Sequence, residues 1–298
     1  MNDAAVRLGY LADTVRLLYP GAGAPRPYTV LPHPALPRRL APRRWWHLGS
    51  RVVVPVEGSI ADHLGEVFQR PVETVLHVRP ARRANRKPIL EARADGRLLA
   101  FVKIGDTERA RGLVDAEAAT LRRLAALPLR TVTVPAVLHH GDWRGMSVLA
   151  LSPLPVRRGR VPAPLLLEAA REIAATGGAR PAWHGDFTPW NLSRGPGGRL
   201  LVWDWERYEV GVPLGFDVLH HFFHRALRRM RPPVAAKACL AQSVCLLAPL
   251  GLSSATARRT ALRYLIALAD RHAADGHAPF GPPRSWLNPA VDHEELLI

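Results

Sequence analysis

Apolar and polar positions change period along this chain, and the changes mark its elements. Ile89–Ala94 and Leu98–Ile104 are apolar-rich runs of strand length on either side of Asp95-Gly96. That pair favours a two-residue hairpin turn, because both positions need φ > 0. Leu113, Leu121 and Leu124 recur at helical spacing, which predicts a helix capped by Asp106 or Thr107 and running to about Leu127, where Pro128 stops it. With a strand at Glu73 and two more near Val134 and Val148, residues 71–151 read as a β-rich segment with one helix. Ser152 to Pro162 is rich in Pro and Arg and suits a hinge. Residues 152–298 then read mostly as helix, near 165–175, 218–230, 234–247 and 255–274, with one short strand at Leu200 to Trp203. Residues 1–70 form an extension expected to pack on the β-rich segment, with helical pieces near its start and around Ile60 to Phe68. No internal repeat is present.

Composition narrows this picture. The 298 residues are apolar enough for a sizeable core, and no run is expected to match the length and continuity of a membrane span. The N-terminus lacks a charged-then-apolar secretory pattern. Cys239 and Cys245 lie on one apolar helical segment and should face different ways, forming neither a metal pair nor a disulfide. A reducing cytoplasm is the expected location. A net charge of +16 favours anionic partners. The arginines are spread throughout, however, so the charge reads as a general preference for Arg over Lys, and no specific nucleic-acid partner is expected. Trp45-Trp46 follows Arg43-Arg44. The pair could stack on a ring or lie at a lipid surface, but packing onto the β-rich segment is the expectation.

The candidate chemistry lies between His184 and Glu206. His184-Gly185-Asp186-Phe187-Thr188-Pro189-Trp190-Asn191 places an Asp five residues before an Asn, and a second Asp, Asp204, ends the apolar run after Gly195-Pro196-Gly197-Gly198. Phosphoryl transfer needs a carboxylate at the attacking hydroxyl and hard oxygen ligands for Mg²⁺. Asp186 is the candidate base, Asn191 and Asp204 are the candidate metal ligands, and His184 should orient the loop by hydrogen bonding. The turn and strand should fold back to bring Asp204 beside Asn191. Upstream, Lys103 ends an apolar strand where kinases place the lysine that holds nucleotide phosphates. Glu117 shares the helical stripe with Leu113 and Leu121, where a carboxylate requires a cation, and Lys103 is the expected partner. Glu108 and Asp115, on the other face, need only solvation. The turn from Pro80 to Lys87 has no glycine. Asn85, Arg86 and Lys87, with Arg82 and Arg83, are its candidate phosphate donors. His220, His221 and His224 read as polar helix residues near the site.

The segment His184 to Asn191, followed by Val202-Trp203-Asp204-Trp205-Glu206, resembles the aminoglycoside phosphotransferase and choline kinase-like family. The resemblance runs from about Glu73 to Phe223. It implies an α+β, two-lobed protein kinase-like fold with a small β-rich N-lobe and a larger helical C-lobe. It also implies Asp186 as catalytic base, Asn191 and Asp204 as magnesium ligands, ATP or GTP as donor, and Asp217 as a structural residue. The expected function is transfer of the γ-phosphoryl group of a nucleoside triphosphate to a small hydroxyl compound. The acceptor should be neutral or anionic, such as a sugar or glycosylated metabolite, since the carboxylates expected near the site are few: Glu206, Glu209 and the acidic tail at Asp292, Glu294 and Glu295. The alternative is an inactive kinase-like protein that binds nucleotide or nucleic acid in regulation. A protein kinase is disfavoured, because no activation segment follows Asp204-Trp205-Glu206.

Overall fold

The computed structural model describes residues 3–31, 39–77, 86–157, 159–276 and 280–291. The chain forms two compact units, Met1–Ala118 with Ala136–Pro153, and Ala119–Pro135 with Leu154–Ile298. The first is built on a large sheet and the second mainly on helices, which makes the chain α+β.

The chain begins with helix α1 (Asp3–Leu18), strands β1 (Pro25–Leu31), β2 (Arg39–Pro42) and β3 (Ser50–Pro55), and helix α2 (Ile60–Phe68). Strands β4 (Glu73–His77), β5 (Ile89–Ala94) and β6 (Arg97–Gly105) lead to helix α3 (Glu108–Ala125). After β7 (Val132–Thr133), which belongs to the second unit, come β8 (Val137–Trp143) and β9 (Met146–Leu151). Among the described residues the first unit holds one eight-stranded sheet, in the order β3-β1-β2-β4-β5-β6-β9-β8, antiparallel at every pairing.

Residues 1–70 thus supply three strands of this sheet, where the sequence suggested only helical pieces. Pro25 and Pro27 hide β1 from a propensity reading. The β2 pairing starts at Tyr28, and Pro27 reaches that side only through its carbonyl, which accepts the Arg43 N–H at 3.2 Å, so the missing N–H groups fall where that ladder ends. The β5–β6 turn is as expected, with Asp95 at φ 49° and Gly96 at φ 74°. Strand β9 is buried along its whole length between β6 and β8. The core gathers Leu18, Leu40, Ile60, Leu64, Leu90 and Val148. The Thr107 hydroxyl caps α3 by accepting the Ala110 N–H at 3.2 Å. The buried stripe of α3 is Ala110, Val114, Glu117, Ala118, Leu121 and Leu124, with Leu113 at its margin.

The second unit continues with helix α4 (Ala163–Ala175), strands β10 (Ala182–Trp183), β11 (Leu192–Arg194), β12 (Leu200–Val202) and β13 (Glu209–Val210), and helices α5 (Phe216–Ala226), α6 (Pro232–Leu247) and α7 (Ser254–Ala274). Two short helices, α8 (Pro283–Trp286) and α9 (Asn288–Val291), follow. Strand β10 pairs with β13, and β11 with β12, which runs parallel to β7. Phe216, Phe223, Cys239, Tyr264, Leu265 and Trp286 anchor the helical core. Cys239 is buried and Cys245 exposed, and both are free thiols. Among the described residues, Pro232–Leu250, with a mean hydropathy of 1.5 over its window, is long and apolar enough to cross a membrane by length and composition alone, a property that core helices share. Its Ala235, Ala236, Cys239, Leu240 and Leu247 pack in the helical core. The acidic tail from Asp292 lies outside the described residues.

Candidate active site

In the second unit the loop between β10 and β11 carries the motif from His184 to Asn191. Both oxygens of the buried Asp217, in the first turn of α5, accept the His184 N–H, at 2.9 and 3.1 Å. Burial pushes the Asp217 carboxyl up to about 7, against the opposing pull of the His184 and Gly185 amides. The Arg271 guanidinium on α7 donates to the Gly185 carbonyl and lies 4.4 Å from the Trp183 ring centroid. Gly185 sits at φ 83°, and a Cβ there would collide with the Arg207 carbonyl.

Within the loop, His184 Nδ1 accepts the Asp186 N–H at 3.1 Å. Its proton therefore resides on Nε2, which donates to the Trp203 carbonyl at 3.2 Å. His184 has the orienting place expected of it. The Asn191 side-chain amide donates to Asp186 twice, to Oδ2 at 2.8 Å and to the backbone carbonyl at 3.0 Å. The β11–β12 hairpin, with Leu192 opposite Val202, carries the Trp203 N–H to the Asn191 carbonyl at 3.2 Å. Asp204 follows directly, in a left-handed conformation at φ 73°. Trp205 is fully buried and anchors this turn, donating its ring N–H to the Val202 carbonyl at 3.0 Å.

Burial, and then the nearby Asp204 carboxylate, raise the pKa of Asp186. Two carboxylates are thus close enough to feel each other, beside an amide whose NH₂ is committed to one of them. Asn191 Oδ1 and the Asp204 carboxylate oxygens are hard donors, the ligand type Mg²⁺ takes. The donor set fits the expected ion.

His220, expected as a polar helix residue near the site, lies on α5 beside Asp186. His220 is buried, with Nε2 3.2 Å from Asp186 Oδ1 and Nδ1 3.2 Å from the Tyr264 hydroxyl. Burial pushes this imidazole well below its usual range, so it is neutral. A Tyr264 O–H donated to Nδ1 places the proton on Nε2, facing Asp186. Both Asp186 oxygens therefore carry one donor each. The sequence put His220 and His224 on one face, but a contact across 34 residues has no local signature. Glu209, expected among the substrate-facing carboxylates, accepts the Trp183 ring N–H at 3.3 Å.

In the first unit, Lys103 on β6 and Glu117 on α3 form a buried ion pair at 2.5 Å. Of the turn before β5, Asn85 lies outside the described residues. Arg86 places its guanidinium 4.9 Å from the Tyr10 ring centroid. The Arg86 and Lys87 charges both act on Asp106, whose carboxyl burial raises. Asp115 does more than meet solvent, accepting the Ser147 hydroxyl at 2.6 Å and pairing with His140 at 2.9 Å.

The chain matches no protein-family model and no curated protein. Among solved structures it is similar to a Haemophilus somnus 129PT protein assigned as a fructosamine-3-kinase, with 12% identity over 69% of this chain and 96% of that one, at a TM-score of 0.40. It is also similar to the bifunctional kinase-methyltransferase WbdD, with 15% identity over 60% of this chain and 42% of that one, at a TM-score of 0.36. A variant of the PknI kinase domain from Mycobacterium tuberculosis aligns at 15% identity over 62% of this chain and 93% of that domain, at a TM-score of 0.32. These are distant likenesses.

Proposed function

We propose that this chain is a small-molecule kinase, with a kinase-like fold of the aminoglycoside phosphotransferase and choline kinase-like kind. The observation that carries the reading is the arrangement of Asp186. Its carboxylate is held by Asn191 and His220, and a second carboxylate, Asp204, is near enough to raise its pKa. The buried Lys103–Glu117 pair supports it, since a kinase needs a cation fixed for the nucleotide phosphates.

Asp186 accepts the proton of the substrate hydroxyl as that oxygen bonds to the γ-phosphorus. The bond from phosphorus to the bridging oxygen breaks, and the nucleoside diphosphate leaves. Donors on both Asp186 oxygens fix the carboxylate in one orientation, so the hydroxyl meets a lone pair already aimed. Asn191 and Asp204 would hold Mg²⁺, which would supply positive charge to offset that of the phosphates. Lys103, oriented by Glu117, holds the nucleotide, and Arg86 and Lys87 supply further positive charge. The donor is ATP or GTP. The acceptor is a neutral or anionic hydroxyl compound, because the net charge of +16 repels a polycation on approach. The two free thiols suit a reducing cytoplasm.

The test is thermal. ATP or GTP with Mg²⁺ should raise the melting temperature of the native chain, and Asp204→Ala should remove the metal-dependent part of that rise. A panel of sugars, glycosylated metabolites and aminoglycosides, read by mass change, then identifies the acceptor. No stabilisation by either nucleotide at millimolar concentration would sink the proposal. Stabilisation with no transfer to any compound would favour the regulatory alternative.

A further inference from the structure

The Trp45-Trp46 pair does not pack onto the sheet as its sequence suggested. In the loop from β2 to β3, Trp45 is 89% exposed, Trp46 58% and Leu48 96%. The two indoles touch edge to face at 5.4 Å, and Trp46 leans in the same way on the His47 ring at 5.8 Å. The large side chains therefore support each other and leave their outer faces in water. Strand β3, which follows, is an edge of the sheet. Its Val53 is 61% exposed, while the next residue, Val54, is fully buried. Apolar area of this kind, concentrated on one loop and the adjoining edge strand, marks a contact surface more than a scatter of single residues does.

The charges around it are mostly positive. Arg39, Arg43, Arg44 and Arg51 are all exposed, and desolvation, followed by the positive charge of Arg39 and Arg44, lowers the pKa of His47. Glu73 engages Arg44 at 3.0 Å, which leaves Arg39, Arg43 and Arg51 as the net charge of the rim. Two exposed indoles and a leucine flanked in the chain by exposed arginines match the layered chemistry of a bilayer surface. Indoles favour the interfacial zone, leucine the acyl boundary, and guanidinium groups the anionic headgroups. A nucleic acid would use the indoles for stacking and the arginines for phosphate, but it offers nothing to Leu48 or Val53.

We propose that the loop from Arg43 to Gly49, with the outer side of β3, is a docking surface for an anionic lipid membrane. The surface lies on strands and a loop that the proposed catalytic chemistry does not use, so the inference stands apart from the kinase reading.

The test uses the full chain and lipid vesicles at physiological salt, one set of phosphatidylcholine alone and one with added phosphatidylglycerol. The chain should co-sediment with the anionic vesicles and only weakly with the neutral ones. Acyl chains carrying bromine should quench part of its tryptophan emission. A triple variant, Trp45→Ala, Trp46→Ala and Leu48→Ala, should bind anionic vesicles roughly tenfold or more weakly and lose that quenching, with its melting temperature little changed because the side chains are exposed. Arg43→Glu with Arg51→Glu, which leaves the apolar tip intact, should lose the preference for anionic lipid. Equal binding by the triple variant and the native chain would overturn the proposal, because the overall charge alone would then explain the attraction. Failure of the native chain to bind anionic vesicles would overturn it as well. So would a triple variant that keeps vesicle binding but loses self-association or binding to single-stranded nucleic acid.

Discussion

At the scale of single residues, the candidate site depends on how Asp186 and Asp217 are held. On the proposed kinase reading Asp186 takes the proton of the acceptor hydroxyl, so Asp186→Asn should lower transfer by roughly a thousandfold or more while Mg²⁺–nucleotide still stabilises the fold. Near-native turnover by this variant on an identified acceptor would remove Asp186 as the base. Asp217 gives a stability prediction with a definite sign. Its carboxyl moves from 3.8 up to about 7 on folding. Between those values the native chain keeps a proton that the unfolded chain has released, so the contribution of this group falls as pH rises and levels off above about 7. Asp217→Asn keeps an acceptor for the His184 amide but cannot titrate. The stability of the variant relative to the native chain should therefore climb from pH 4 to pH 7, by an amount on the order of 4 kcal/mol. Urea unfolding of both chains across that range measures the difference. A flat difference would mean that Asp217 is ionised in the native state throughout.

At the scale of elements, the loop between β10 and β11 tolerates little change where the backbone is crowded. Gly185→Ala places a Cβ against the Arg207 carbonyl and forces φ 83° on a residue that resists it. The variant should be destabilised by roughly 2–4 kcal/mol, with transfer lost more than stability because Asp186 is the next residue. Unfolding midpoints and turnover together check this, and an unperturbed variant would show that the loop shifts freely. The loop was readable in sequence because its chemistry is local: Asp186, Asn191 and Asp204 sit at fixed spacing around a glycine turn. The β5–β6 hairpin and α3 were readable for the same reason, through Asp95-Gly96 and the Thr107 cap. Strands β1 to β3 were not, because their pattern is set by pairing that prolines obscure. His220 was readable as a polar residue near the site, but its bond to Asp186 was not, because only the tertiary fold carries α5 there. The fate of Trp45 and Trp46 was misjudged by a rule that sends aromatics inward and is blind to surfaces kept for a partner.

At the scale of the whole molecule, the charge of +16 acts on any polyanion. Two contributions to binding are separable because they respond differently to salt. Phosphate contacts made by dispersed arginines release counterions, so the affinity they give falls steeply with ionic strength and ignores base sequence. Apolar insertion by the loop from Arg43 to Gly49 buries carbon and depends on salt only weakly. Duplex and single-stranded nucleic acid should therefore bind the chain only at low salt. If about six phosphates are neutralised, affinity should drop by roughly three orders of magnitude from 50 to 200 mM salt, with no preference among sequences. The Trp45, Trp46 and Leu48 triple variant should leave this nucleic-acid curve where it is, since the arginines remain, while its vesicle binding collapses. Salt titrations of both ligands against both chains give the four curves needed. Tight, sequence-selective nucleic-acid binding that persists at physiological salt would mean that the arginines form a built recognition surface, and would turn the reading of this protein from catalysis toward regulation.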